Sequence, residues 1–168
     1  MRKLTIPLLL LLALSAGAQV KPTQASERLK VAEQRKALLK KSLANNTGFR
    51  NIGPSIMSGR VADVDVNPDD PTEFYVGYAS GGLWYTTNNG QSFTSVFDSE
   101  DVLTIGDIAV NWKTRTIWLG TGEVNSSRSS YAGMGVYKST DNGKSWEYLG
   151  LPESHHIGKI VLHPTDNN

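Results

Sequence analysis

The strongest constraint on the fold is an internal repeat. VADVDVNP (61–68) aligns with IGDIAVNW (105–112) and HIGKIVLHP (156–164), so that Val64, Ile108 and Ile160 share one position. FYVGY (74–78) aligns with IWLGT (117–121), and GLWYTTNNGQSF (82–93) with GVYKSTDNGKSW (135–146). The first two copies are offset by about 44 residues, the length of a four-stranded antiparallel unit. The longer step to the third copy comes from an insertion at 123–133. Each copy consists of short β-prone runs punctuated by Gly, Asn, Asp and Pro. In the first copy strands are predicted at 60–66, 74–78, 83–86 and 93–97, with counterparts in the second; the third contributes an opening strand at 159–163.

A single sheet of this kind cannot bury both of its faces, and stacking units radially solves that problem. The predicted fold class is therefore all-β, a β-propeller of four-stranded blades at about 55–98, 104–150 and 156–168 onward. Two blades and the start of a third imply the front end of a longer array, whose remaining blades would be the first partners of this segment.

Two segments precede the repeats. Residues 1–18 combine basic Arg2 and Lys3, an apolar run at 6–14 and small residues ending at Ala18, the pattern of a secretory signal cut after Ala18. The run is too short for a bilayer core of roughly 30 Å, which needs about 20 apolar residues. The chain has no cysteine, which excludes a lipid-modified N-terminus and any disulfide. A secreted, periplasmic or cell-surface location follows. Residues 19–48 form an N-terminal arm in which 24–44, free of Gly and Pro, predict one amphipathic helix with Leu29, Ala32, Leu39 and Leu43 near helical spacing. The partial propeller then occupies 49–168.

The arm is basic and the body acidic, with 8 Lys/Arg against 14 Asp/Glu from Asn45 onward. That balance argues against nucleic acid, since phosphate binding needs concentrated Lys and Arg. Asp63 and Asp65 alternate along the first strand and are assigned to a polar blade edge rather than to calcium or catalysis, while 69–71 (Asp-Asp-Pro) reads as a turn. No metal or other cofactor is expected: adjacent His155 and His156 lack an evident third ligand.

One motif carries its own mechanism. Ser139-Thr140-Asp141-Asn142-Gly143-Lys144-Ser145-Trp146 fits the pattern Ser/Thr-x-Asp-x-Gly-x-Ser/Thr-aromatic known as the Asp box. The Asp141 carboxylate is placed to accept amides of its own hairpin turn, Gly143 to take a positive φ, and Trp146 to anchor the next strand. The first copy carries a degenerate box, with Asn88 in the Asp place, followed by Gly90 and Phe93. With these residues the chain from Phe49 onward resembles the sortilin-like, Asp-box (bacterial neuraminidase repeat) propeller proteins of bacteria, further matched by FRNIGPSIMSGRVADV, YASGGLWYTTNNG and GTGEVNSS. Members of that group are often labelled glycosyl hydrolases, and sortilin domains bind peptides.

The resemblance implies three functions. A sialidase would need an arginine cluster; FRNIGP (49–54) matches the motif bearing the first such arginine only loosely, and Arg50 fits a structural place. A xyloglucanase-type propeller would carry a catalytic Asp just after the second strand, where this chain has Ala79, so in a glycoside hydrolase of either type the catalytic residues would lie mostly in the part of the chain missing here. The third is a binding scaffold for peptide or glycan ligands, with no catalytic residue in this segment. Its ligand face would lie on the rim opposite the Asp boxes, where the insertion supplies Glu123, Asn125, Arg128 and Tyr131 and the starts of the blades supply Arg60, His155 and His156.

Overall fold

The computed structural model describes residues 22–47, 59–125 and 130–165. The signal-peptide assignment, Arg50 and Arg128 lie outside them. The described chain is one helix followed by two antiparallel four-stranded sheets.

Helix α1 (Ala25–Lys41) has a composition that favours helix, with Glu27 in its first turn and Lys40 and Lys41 in its last, each placed well for the helix dipole. It is shorter than the sequence predicts: Ser42 is extended, its hydroxyl accepts the Ala44 amide at 3.2 Å, and Leu43 falls in a 3-10 turn. Nor is it amphipathic in the sense predicted. Ala25 is buried, but Leu39 and Leu43 are 50% and 90% exposed. Polar contacts hold the arm to the body instead. Lys36 pairs with Asp101 at 2.7 Å, and the Arg28 guanidinium donates to the carbonyls of Gly133 and Pro152.

The first sheet contains β1 (Val61–Val66), β2 (Phe74–Tyr78), β3 (Gly82–Thr86) and β4 (Thr94–Ser95), in that order. The second contains β5 (Ile105–Asn111), β6 (Thr116–Thr121), β7 (Val136–Ser139) and β8 (Glu147–Gly150). Consecutive strands pair throughout, so each sheet is a meander. Both first pairs carry a bulge at the matching place, between Val61 and Asp63 and between Ile105 and Asp107. Residues 159–163, predicted as a strand, form no β-ladder among the described residues.

The core lies between the sheets. Tyr75, Leu83 and Phe97 from the first side meet Ile108, Val110, Ile117, Leu119 and Tyr137 from the second. Phe97 sits edge-on to both Tyr137 (5.2 Å) and Trp146 (4.9 Å), and the Trp146 indole donates to the Val96 carbonyl at 2.7 Å.

The junction between units is built twice in the same way. Asp63 Oδ2 accepts the Ile108 amide at 3.1 Å, and its counterpart Asp107 accepts the Ile160 amide at 2.5 Å. Gly77 leaves room for Ile105, whose Cγ2 would stand 2.8 Å from an added Cβ; Gly120, its counterpart, is overlain by Ile157, the counterpart of Ile105. The local turn is copied too, since Asn67, Asn111 and His163 each accept, through a side-chain atom, the amide two residues on. Asp63 and Asp65 therefore do not sit at a polar edge. They reach across the gap, and Asp65 also takes the Val110 amide at 2.8 Å and the Trp112 indole at 2.6 Å. Burial pushes the Asp65 and Asp107 carboxyls above the usual carboxylate value, even with these donors in place.

The two hairpin turns share one hydrogen-bond plan. Asp141 Oδ1 accepts the Lys144 and Ser145 amides at 3.0 and 2.9 Å, Oδ2 accepts the Ser145 hydroxyl at 2.5 Å, and Ser139 Oγ takes the Gly143 amide at 2.9 Å. Asn88 Oδ1 accepts the Ser92 amide at 3.0 Å, and Thr86 Oγ1 takes the Gly90 amide at 3.1 Å. Both turns put Asn and then Gly at positive φ: 56° and 78° for Asn89 and Gly90, 63° and 82° for Asn142 and Gly143. Phe93 packs edge-on to Phe74 at 5.9 Å, while Trp146 enters the core. The Ser145 hydroxyl and amide, with Ser139 and Lys144, hold the Asp141 carboxyl down at about 2.

Two predictions follow from these contacts. Asp63→Ala leaves the buried Ile108 amide without an acceptor and should lower stability by about 1–3 kcal/mol. Asp69→Ala, in an exposed turn, should change it by less than about 0.5 kcal/mol. Urea unfolding midpoints measure both. The second concerns acid. Because the folded pKa of Asp141 lies below its unfolded value of about 3.9, its contribution is complete above that value and is lost as pH falls towards about 2. Over that window Asp141→Asn should lose less thermal stability than the wild type, and Asn88→Asp should lose more.

Candidate functional site

Antiparallel strands sort the connections into two ends. At one end lie the start of β1, the 79–81 and 122–135 connections and the segment before 157; at the other lie both Asn-Gly turns. The first end is tied together by backbone bonds, Ala79 N–H to Arg60 C=O at 2.9 Å, Gly122 N–H to Thr104 C=O at 3.0 Å and Gly133 N–H to His155 C=O at 2.6 Å. It gathers Arg60, Glu123, Tyr131, His155 and His156.

Glu123 is the centre of this group. Its side chain is wholly buried and takes two parallel bonds from Arg60, Nε to Oε1 at 2.7 Å and Nη2 to Oε2 at 2.6 Å. The flat guanidinium fits a carboxylate in this fork arrangement, which fixes orientation as well as charge. Arg60 holds the Glu123 carboxyl below the usual carboxylate range, and the Glu123 carboxylate raises the arginine in turn. Glu123 is therefore turned inward and spent on Arg60, while the Arg60 side chain stays 48% exposed. Tyr131, Asn125 and His156 are exposed beside it.

His155 and His156 diverge, with ring centroids 6.4 Å apart. The His155 backbone is bent to a φ of 34°, which side-chain-bearing residues rarely adopt, and its carbonyl is wedged between Gly122 and Gly133. His155 thus serves this end through its main chain. Among the described residues no group of three or more His, Asp or Glu is placed to hold a metal ion. Ala79, at the place where a carboxylate would stand in a xyloglucanase-type propeller, is fully buried.

At the opposite end the structure assembles a cluster that the sequence did not announce. Buried Glu73 accepts from Asn67 Nδ2 at 2.6 Å, from the Tyr85 hydroxyl and from Arg115. Burial pushes this carboxyl up, but the bonds from Arg115, Tyr85 and Asn67 outweigh it and the net direction is down. Tyr75 stacks on Tyr85 at 4.6 Å and donates to Asn142 Oδ1 at 2.8 Å, and the Arg115 guanidinium lies 5.6 Å from the Trp112 ring centre. The cluster joins the two sheets, and its Arg115 side chain stays 42% exposed. Its only sequence signal is Glu73 directly before an apolar strand.

Removing one half of the Arg60–Glu123 pair leaves the other uncompensated. Arg60→Ala leaves the Glu123 carboxylate without its partner and should lower the unfolding midpoint, whereas Arg60→Ala combined with Glu123→Ala should recover much of that loss. A double-mutant cycle on chemical unfolding measures the coupling; additive losses would exclude it.

No protein-family model matches the chain, and no curated protein matches it. Among solved structures it is similar to the crystal structure of an ancestral GH74 enzyme, with 27% identity and a TM-score of 0.42 over 55% of this chain. The likeness takes in 13% of that enzyme's length, so the present chain corresponds to a small part of it.

Proposed function

We propose that the chain is the opening part of an exported, sortilin-like Asp-box β-propeller, and that the end bearing Arg60 and Tyr131 binds peptide or glycan ligands. The propeller reading is supported by the duplicated junction: Asp63 to Ile108 and Asp107 to Ile160 place each unit on the next by one operation, which generates a radial array when continued. The observation that carries the binding reading is the Arg60 guanidinium, half exposed yet fixed by a buried carboxylate. A cation held in one orientation pays little ordering entropy when it meets a carboxylate or a row of hydroxyls. Exposed Tyr131 adds a flat apolar face with a hydroxyl, a combination suited to a peptide or a sugar ring.

Catalysis by this segment is disfavoured on chemical grounds. Glycoside hydrolysis uses two carboxyl groups flanking the bond, one of them free to donate a proton. Glu123 is committed to Arg60, and Ala79 supplies no carboxyl group.

Binding of the whole exported protein to peptide and glycan arrays tests the proposal. Tyr131→Ala should weaken binding to the captured ligand at least ten-fold with the unfolding midpoint unchanged. Retention of full affinity by Tyr131→Ala would remove this face from the site, and cleavage of a β-glucan by residues 19–168 alone would overturn the non-catalytic reading.

A further inference from the structure

The Asn-Gly turn of the second unit lies against the first unit. Asn142 and Gly143 follow β7, and the Asn142 amide donates to the Arg115 carbonyl at 3.2 Å. The Asn142 side chain reaches across the junction, where its Oδ1 accepts the Tyr75 hydroxyl of β2 at 2.8 Å. Gly143 is buried: a Cβ built on it would stand 3.1 Å from the Val96 side chain, and its amide goes to Ser139 Oγ at 2.9 Å.

An asparagine followed by glycine is the dipeptide most prone to lose its side-chain ammonia, because glycine has no side chain to hinder the approach of its nitrogen. In that reaction the glycine nitrogen gives its proton to a solvent base and bonds to the asparagine Cγ, and the side-chain nitrogen leaves as ammonia. Water then opens the cyclic imide to aspartate or to isoaspartate, in which the main chain is longer by a carbon. The glycine amide must be free to lose its proton, and the carboxamide must be free to turn towards it. Here a hydrogen bond blocks each. Ser139 occupies the Gly143 amide, and Tyr75 holds the Asn142 carboxamide. The first lock is local to the turn, but the second comes from the neighbouring unit, 67 residues away in sequence.

We propose that Asn142–Gly143 is a site of spontaneous deamidation gated by the junction between the two units, with Tyr75 and Ser139 as its locks. While the units are docked the dipeptide is inert. When the junction opens, solvent base reaches Gly143 and conversion begins. The isoaspartyl product cannot rebuild the turn: Asp141 accepts the Lys144 and Ser145 amides across the Asn142–Gly143 bond, and an added main-chain carbon displaces those donors. Conversion is therefore a one-way record of how often the junction has opened.

The test incubates the whole protein in mildly alkaline buffer and then digests it with trypsin, which releases residues 139–144 with Asn142 as their only asparagine. Mass spectrometry follows the conversion of amide to acid in that peptide. Tyr75→Phe keeps the ring and removes one lock; loss of one hydrogen bond should raise the rate at Asn142 by about two- to ten-fold. Ser139→Ala should raise it as well, while Tyr148→Phe, which removes a hydroxyl outside the turn, should leave it unchanged. Should the Tyr75 variant misfold, the wild type decides alone: its rate should start well below that of a free peptide of residues 136–146 and climb to it as urea is added. A native rate equal to that of the free peptide, or a folded Tyr75→Phe protein converting no faster than the wild type, would overturn the proposal.

Discussion

The first strand of the second unit has a hydrogen-bonded neighbour on one side only, and amides of its other row face the preceding unit. An amide left unpaired there costs as much as a lost hydrogen bond, so some group must cross the gap to meet it. In this chain an aspartate does so: Asp63 for Ile108, Asp65 for Val110 and Asp107 for Ile160. Much else depends on that contact. A carboxylate on a short stem requires the units to approach closely, and close approach in turn requires Gly77 and Gly120, where a side chain would collide with the isoleucine of the next unit. Asp65 and Asp107 are thereby drawn out of water, and that burial pushes their carboxyls above the usual carboxylate value.

With the spacing set in this way, the two ends of the sheets diverge in character. The turn end closes on itself: Glu73 is saturated by Asn67, Tyr85 and Arg115, and Asn142 caps Tyr75. The buried Glu73 carboxylate is thereby spent within the junction. The other end is held by main-chain bonds and by one buried ion pair, which leaves the outer side of Arg60 and the exposed Tyr131 to solvent. Rigid support with an open polar surface is the arrangement that the proposed recognition would use.

The strands were legible in the sequence because a two-residue period, turn residues at fixed offsets and a duplicated pattern all point the same way. The Asn-Gly turns were legible because their bonds are local: Asp141 and Asn88 find their donors within four residues. The helix was less legible. Apolar residues at helical spacing suggested a buried stripe, but Leu39 is half exposed, and charged contacts from Arg28 and Lys36 hold the arm instead. Residues 159–163 have the composition of a strand, yet they form no β-ladder among the described residues.

The sequence by itself determined the strand order of the first two repeats and the chemistry of their turns, since each rests on interactions between residues close along the chain. It could not assign Asp63, Asp65 and Asp107, because an alternating aspartate on a strand looks the same whether it faces water or the next sheet. The same holds for Glu123, which looks like a loop carboxylate available to a ligand until Arg60, 63 residues away in sequence, is seen to claim it. Tertiary structure decided these cases for one physical reason: the fate of a charge is set by what surrounds it after folding, and those neighbours come from distant parts of the chain.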